Sequence, residues 1–134
     1  MKSQSILCVG GINMDLVMET ERLPERGETF FGRNYGHVPG GKGANQAVAA
    51  ARLGAEVSLL GMVGEDKNGR SMLENFQNEG VLIDFIGIDH SEPSGLAAIV
   101  VEDCGDNRII LFNGANENLG TADIEKAFTK TYDA

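Results

Sequence analysis

Two groups of residues in this chain have the types and spacing to hold an oxygen-rich ligand. The first is Asn13 and Asp15, at i and i+2 just beyond the short apolar run Ile6-Leu7-Cys8-Val9 and its Gly10-Gly11 stop. In extended chain two such side chains point the same way. An ionised carboxylate accepts hydrogen bonds from neighbouring hydroxyls, while an amide both donates and accepts, which is polyol-binding chemistry. An Asx-type turn, with both side chains bonded to local backbone, accounts for the same pair equally well. The second group is Gly40-Gly41-Lys42-Gly43-Ala44-Asn45, a glycine-rich turn that runs into an alanine-rich segment. If that segment is helical, the turn presents backbone N–H groups at the positive end of the macrodipole, suited to oxygen-rich or anionic ligands. Lys42 adds side-chain donors and Asn45 both a donor and an acceptor.

The elements that must position these groups follow from periodicity. Ala44, Ala47, Val48 and Ala51 recur at i, i+3, i+4 and i+7, and Gly54 stands where a left-handed residue would end the helix. A face of alanine lets such a helix lie close to a sheet. Residues 6–9 before it and 57–63 after it read as buried strands, so the helix has the place of a βαβ crossover. In open α/β sheets the ligand crevice lies beyond the carboxyl ends of the strands, where Asn13 and Asp15 fall. Between the first strand and the helix, residues 16–18 and 29–31 read as short strands around a turn-rich connection, with Phe30 and Phe31 on opposite faces and both needing cover. Tyr35 and His37 are placed in a loop and given no role. Asp66 or Asn68 caps a second helix carrying Met72, Leu73 and Phe76 inward and stopping at Gly80. Residues 81–83 with 85–86 form another strand. Residues 95–101 and 108–112 make a hairpin, closed by a second glycine–amide turn, Asn113-Gly114-Ala115-Asn116. Thr121 is the expected N-cap of a last helix.

Two motif readings fail on their chemistry. Gly36 to Lys42 spells G-x-x-x-x-G-K, but Gly43 stands where a P-loop needs a magnesium-binding Ser or Thr. Glu65 and Asp66 suggest a metal, yet no further ligand is spaced nearby, and a cap in a solvated turn suffices. No catalytic residue and no metal ligand is assigned.

The chain has 134 residues, 42% of them apolar, with no repeat, linker or low-complexity tract, which fits one globular domain over residues 1–134. Its formal charge of −9, uninterrupted by a basic patch, argues against nucleic acid or an anionic membrane as partner. Two cysteines, Cys8 and Cys104, make neither a disulfide framework nor a metal cluster. The first apolar run is too short for a signal peptide or a membrane span, so a reduced, cytoplasmic setting is the default expectation.

Taken in order, these residues resemble the start of the ribokinase/phosphofructokinase-B family of sugar kinases. Gly40, Gly41, Gly43, Asn45, Ala47, Gly54 and Gly64 fall at the spacings of the family's first signature. Asn13-Met14-Asp15 with Lys42 and Gln46 leans toward the ribose-phosphorylating branch rather than a fructokinase or a nucleoside kinase such as adenosine kinase. The resemblance implies the amino-terminal part of a three-layer α/β/α sheet with a small β-lid, its segments at about residues 16–38 and 95–113. It implies ATP-dependent phosphorylation of a sugar, ribose before others, with Mg²⁺ and, in the complete enzyme, a monovalent cation. Asn13 and Asp15, with Gly41, Lys42, Gly43 and Asn45, become the sugar-binding set. The lid implies a homodimer. The family's Gly-Ala-Gly-Asp turn, with its catalytic base, does not occur in this sequence, nor do the residues of the ATP site. The sequence is therefore expected to cover the sugar-binding portion only. The alternative is a non-catalytic fragment that binds sugar or assembles through its lid.

Overall fold

The computed structural model describes residues 4–134; Met1 to Ser3, inside the expected domain boundary, lie outside the described residues. Its body is a parallel sheet. Strand β1 (Ser5–Val9) pairs with β4 (Glu56–Gly64), Ile6 opposite Val57 and Val9 opposite Leu60. On the other edge of β4 lie β5 (Val81–Leu82) and, further along, β6 (Ile86–Asp89). The single strand expected over residues 81–86 is thus two, because residues 83–85 leave the edge of β4 between the two pairings.

From Val57 to Gly64 strand β4 is buried throughout, the pattern of a strand covered on both faces. Val57, Leu59 and Val63 face a core shared with Ala44 and Ala47 of α1 (Lys42–Arg52) and Met72 and Phe76 of α2 (Lys67–Asn78). Ser58, Leu60 and Met62 alternate with these and are buried outside that core. Helix α3 (Thr121–Ala127) packs against β4 with Ala127 buried and likewise outside the α1/α2 core, which places it on the opposite face. The layered α/β/α reading follows from this alternation. After α3 the chain returns to the outer edge of β1, where Leu7 N–H donates to Ala134 O at 2.9 Å and Ala134 N–H to Ser5 O at 3.3 Å.

Between β1 and α1 the chain leaves the body to build a second sheet. Strands β2 (Asn13–Thr20), β3 (Asn34–Gly40), β7 (Gly95–Glu102) and β8 (Asn107–Phe112) form it in the order β3-β2-β7-β8. β2 runs parallel to β7 and antiparallel to β3, and β7–β8 is the expected hairpin. Two expectations for this excursion are corrected. Residues 29–31 are not a strand: Phe31 is 89% exposed, and Phe30 packs beneath the Arg22 guanidinium, 4.2 Å from its ring centroid. The second strand instead holds Tyr35 and His37, because β3 pairs along β2 right up to Gly40 opposite Asn13.

The helix ends obey their local chemistry, with one exception. Gly54, at φ 94°, follows the C-cap of α1 as a left-handed residue. Asp66 caps α2 by accepting from Gly69 N–H at 2.7 Å, and it also receives Ser94 N–H at 2.7 Å and the Ser94 hydroxyl at 2.8 Å. Thr121 is not a cap but the first helical residue of α3. Gly120 precedes it as N-cap, its N–H bonded to Asp123 at 2.9 Å.

Asp66 ties α2 to the start of β7, and its titration follows from those bonds. Burial raises its pKa, but the bonds from Gly69 and Ser94, with Arg70 nearby, outweigh that and leave it below the usual aspartate value. A depressed folded-state pKa adds stability that is present above the unfolded value and lost as pH falls through the folded one. Asp66→Ala should therefore cost about 0.5–2 kcal/mol at neutral pH. The deficit in chemical denaturation should shrink below about pH 4.

Candidate functional site

Around Asn13 and Asp15 the two sheets and α1 meet. Val9 ends β1, Gly10-Gly11 turns the chain, and Ile12 is fully buried where it enters β2. Helix α1 closes on this turn from the other side. A Cβ on Gly43 would stand 2.7 Å from Gly10 Cα, so two glycine backbones touch here without side chains between them. Gly41, the N-cap, has φ 98° and sits over Gly11 O, so a side chain at Gly41 would be both strained and obstructed. Ala44 N–H reaches Gly11 O at 3.4 Å, and no side chain caps α1. The amino end of α1 therefore lies against the exit of β1, with Ala44 N–H turned to Gly11 O and no side chain capping the turn.

Registers put Asn13 and Asp15 on one face of the second sheet. Asn13 stands opposite Gly40 on β3 and Gly95 on β7; Asp15 stands opposite Val38 and Ala97. Three of those four neighbours are glycine or alanine, so Val38 is the one sizeable side chain directly flanking the polar pair. Further along the same face the residues become apolar: Val17, Ile99, Ile109 and Leu111. The result is a polar notch at the α1 end, continued by an apolar wall.

Asp15 is the electrostatic anomaly of the notch. Its carboxylate leans over Gly40, whose Cα leaves the space that any Cβ would fill. It is partly buried, and no hydrogen bond or ion pair to its carboxylate is found among the described residues. Burial pushes its pKa above the ordinary aspartate value, with no partner to offset the cost. The Asx-turn reading of Asp15 fails on this point, since it bonds no local backbone. Asn13 differs, for its Oδ1 accepts from Asn116 Nδ2 at 2.9 Å.

The remaining predicted residues divide. Gly41 and Gly43 shape the junction by their lack of side chains. Lys42 and Asn45 are exposed on the first turn of α1. Asn45 also lines a cleft of about 380 Å³ between α1 and α2, with Arg52 and Glu79 paired in it; Asn13, Asp15 and Lys42 do not line that cleft. Asn116 received no role from the sequence, although the glycine–amide turn around it was visible there. It lies in a 3-10 turn (Gly114–Asn118), where its Oδ1 accepts from Ile12 N–H at 2.9 Å and its Nδ2 donates to Ile12 O at 2.9 Å.

A phosphate cradle is not formed by residues 36–42. Gly36 to Gly40 are paired strand along β2, and Gly40 is buried beneath Asp15. Among the described residues one group could gather on a metal: Glu102, Cys104 and Asp106, at the β7–β8 tip. Glu102 pairs with Thr20, so the tip lies seven residues along β2 from Asn13, about 23 Å away. Two of its three members are exposed and one is a soft thiol, unlike the all-oxygen set that Mg²⁺ takes.

An ionised carboxylate whose folded pKa is raised costs stability above that pKa and nothing below the unfolded one. Asp15→Asn should therefore raise the melting temperature at pH 7, with the gain vanishing below about pH 4. Equal melting curves at pH 7 would show that the Asp15 carboxylate carries no desolvation cost.

Against this geometry, the sequence matches the family described as pfkB family carbohydrate kinase over residues 3–131. It is 46% identical over 120 residues to the ribokinase of Bacillus subtilis (strain 168), covering 89% of this chain and 40% of that protein. It is 50% identical over 112 residues to the ribokinase of Lactococcus lactis subsp. lactis (strain IL1403), covering 83% and 37%. The structure of Arabidopsis thaliana ribokinase complexed with ribose and ATP superposes with a TM-score of 0.80 at 34% identity, over 92% of this chain and 42% of that one. The chain thus spans about 40% of the length of the curated relatives it matches. No described helix is long and apolar enough to cross a membrane.

Proposed function

The chain belongs to the pfkB family of carbohydrate kinases, and we propose that it is the sugar-binding, amino-terminal portion of a ribokinase-type enzyme. In the whole protein the reaction is ribose + ATP to ribose 5-phosphate + ADP. The observation that carries the reading is Asp15, an aspartate held partly buried and unpaired beside Asn13, at the amino end of α1. A fold keeps such a group at a cost, and a sugar removes the cost by supplying hydroxyl donors. Asp15 accepts from hydroxyls, Asn13 and Lys42 donate, and the N–H groups of Lys42 and Gly43 at the start of α1 donate to the sugar's oxygens. Gly41 and Gly43 allow the backbone to approach. The apolar wall of Val17, Ile99 and Ile109 covers the carbon face of the ring. In this role the second sheet is a lid, over about residues 16–38 and 95–113.

ATP would supply the phosphoryl group; Gly36 to Gly40, a paired strand rather than a phosphate loop, do not fit its phosphates. The one candidate cation cluster among the described residues is remote and unsuited to Mg²⁺. No step of the transfer is assigned to this chain. Its own work is to bind and orient the sugar, and we place it in a cytoplasmic setting.

Ribose titrated into the chain should perturb the amide resonances of Asn13, Asp15 and Asn45 with a millimolar dissociation constant, about −4 kcal/mol. Asp15→Asn replaces charge-assisted bonds of roughly 1.5–3 kcal/mol and should weaken binding about tenfold to a hundredfold per bond. Perturbations absent from this set, or unchanged in the variant, would overturn the reading.

A second role, assembly through the lid, is favoured by β8. It is an edge strand whose alternate residues are all exposed, Ile110 at 77% and Ile109 at 56%, so neither face is covered. An exposed apolar edge invites pairing with another copy. Ile110→Ser should shift a homodimer toward monomer in sedimentation velocity. A wild-type chain that stays monomeric at high concentration would remove this role.

A further inference from the structure

On the reading of the notch as a sugar site, we propose that Asn116 is a positioning residue that turns the Asn13 amide so that only its NH₂ group faces the ligand. The orientation follows from groups whose roles are not interchangeable. Ile12 N–H can only donate, so the Asn116 atom 2.9 Å from it must be the oxygen. Ile12 C=O can only accept, so the Asn116 atom 2.9 Å from it must be the nitrogen. That same nitrogen lies 2.9 Å from the Asn13 side chain, which must therefore present its oxygen to Asn116. The NH₂ of Asn13 is left pointing away. Asn113 O, 3.0 Å from Asn116 Nδ2, shares one of its two hydrogens and faces the nitrogen in the same orientation.

The pocket is built around this pair. A Cβ on Gly95 would overlap both Asn13 Oδ1 and Asn116 Nδ2, so only glycine fits opposite Asn13 on β7. The contact also spans the base of the lid, since Ile12 leads into β2 while Asn116 lies just beyond β8. The consequence is a directional site. Asn13 offers a donor and Asp15 an acceptor two residues along one face. A ligand hydroxyl between them accepts from the first and donates to the second. Were the Asn13 amide reversed, two acceptors would face the ligand, and a hydroxyl has one hydrogen to give.

Side-chain amide exchange in the wild-type chain tests the orientation without any ligand. The Asn116 NH₂ should be protected and the Asn13 NH₂ should exchange rapidly; the opposite order overturns the proposal. Asn116→Asp places an oxygen where the nitrogen was and should flip Asn13, whose NH₂ then becomes protected. Ribose affinity should fall at least tenfold, and further than in Asn116→Ala, which lets the Asn13 amide turn freely. Because the new oxygen also faces the Ile12 and Asn113 carbonyls, the readout that a merely structural role would not move is the Asn13 NH₂, which becomes protected in Asn116→Asp and not in Asn116→Ala. If Asn116→Asp does not fold, the exchange measurement and Asn116→Ala still decide, since ribose affinity unchanged in the alanine variant overturns the proposal. If ribose perturbs nothing in the wild type while the exchange pattern holds, the sugar reading fails and the amide orientation stands.

Discussion

Gly43 and Gly10 lie backbone to backbone; Gly43 has no room for a side chain, and a Cβ on Gly10 would be crowded at 3.1 Å. That contact decides how far the amino end of α1 can descend onto the exit of β1. With it, Gly41 can sit over Gly11 O and Ala44 N–H can reach the same carbonyl. The helix then starts at the crevice where β1 ends, rather than a side chain's thickness above it. A single methyl here would lift the helix from the sheet and separate its first amides from Asn13 and Asp15. The small inner face of α1, Gly43, Ala44 and Ala47, continues the close approach down to β4.

A second constraint is electrostatic. The protein satisfies its other structural carboxylates: Asp66 takes three bonds, and Asp123 receives Gly120 N–H. Asp15 alone among these is desolvated without a bond in return. The difference separates an aspartate that builds the fold from one whose partner is expected to arrive from outside. Glycines recur at both kinds of place, but for different reasons. Gly54 ends a helix through its backbone angle, whereas Gly40 and Gly95 make space for the side chains of Asp15 and the Asn13–Asn116 pair.

The two sheets divide the labour. The parallel body anchors β1, α1 and β4 in one core, while the four-stranded sheet carries apolar residues on both faces. One face bears Asn13, Asp15 and the apolar wall; the other bears Leu16, Met18, Ala98 and Ile110. A sheet with apolar groups on both sides needs cover on both, from ligand and from a second surface.

Much of the fold was legible because its signals are local. Alanines at helical spacing with Gly54 behind them, the continuous apolar run of β4, the Asp66 cap and the β7–β8 hairpin each depend on residues close in sequence. Asn13 and Asp15 were visible as a same-side pair for the same reason, since alternation is a property of any extended chain. What tertiary structure alone decided rests on contacts between distant residues. Residues 29–31 have strand-forming side chains, but β2 found its partner in residues 34–40, and Phe30 lies off the sheet under Arg22. The lean of Asp15 onto Gly40 depends on the register of β2 with β3, which no local pattern encodes. Asn116 lies 104 residues from Ile12, and its bonds there exist only because β7 and β8 carry it back to the base of β2. Local periodicity can name the elements and their inward faces. Which side chains share a site is settled by registers and close approaches, and these are chosen by the packing of the whole.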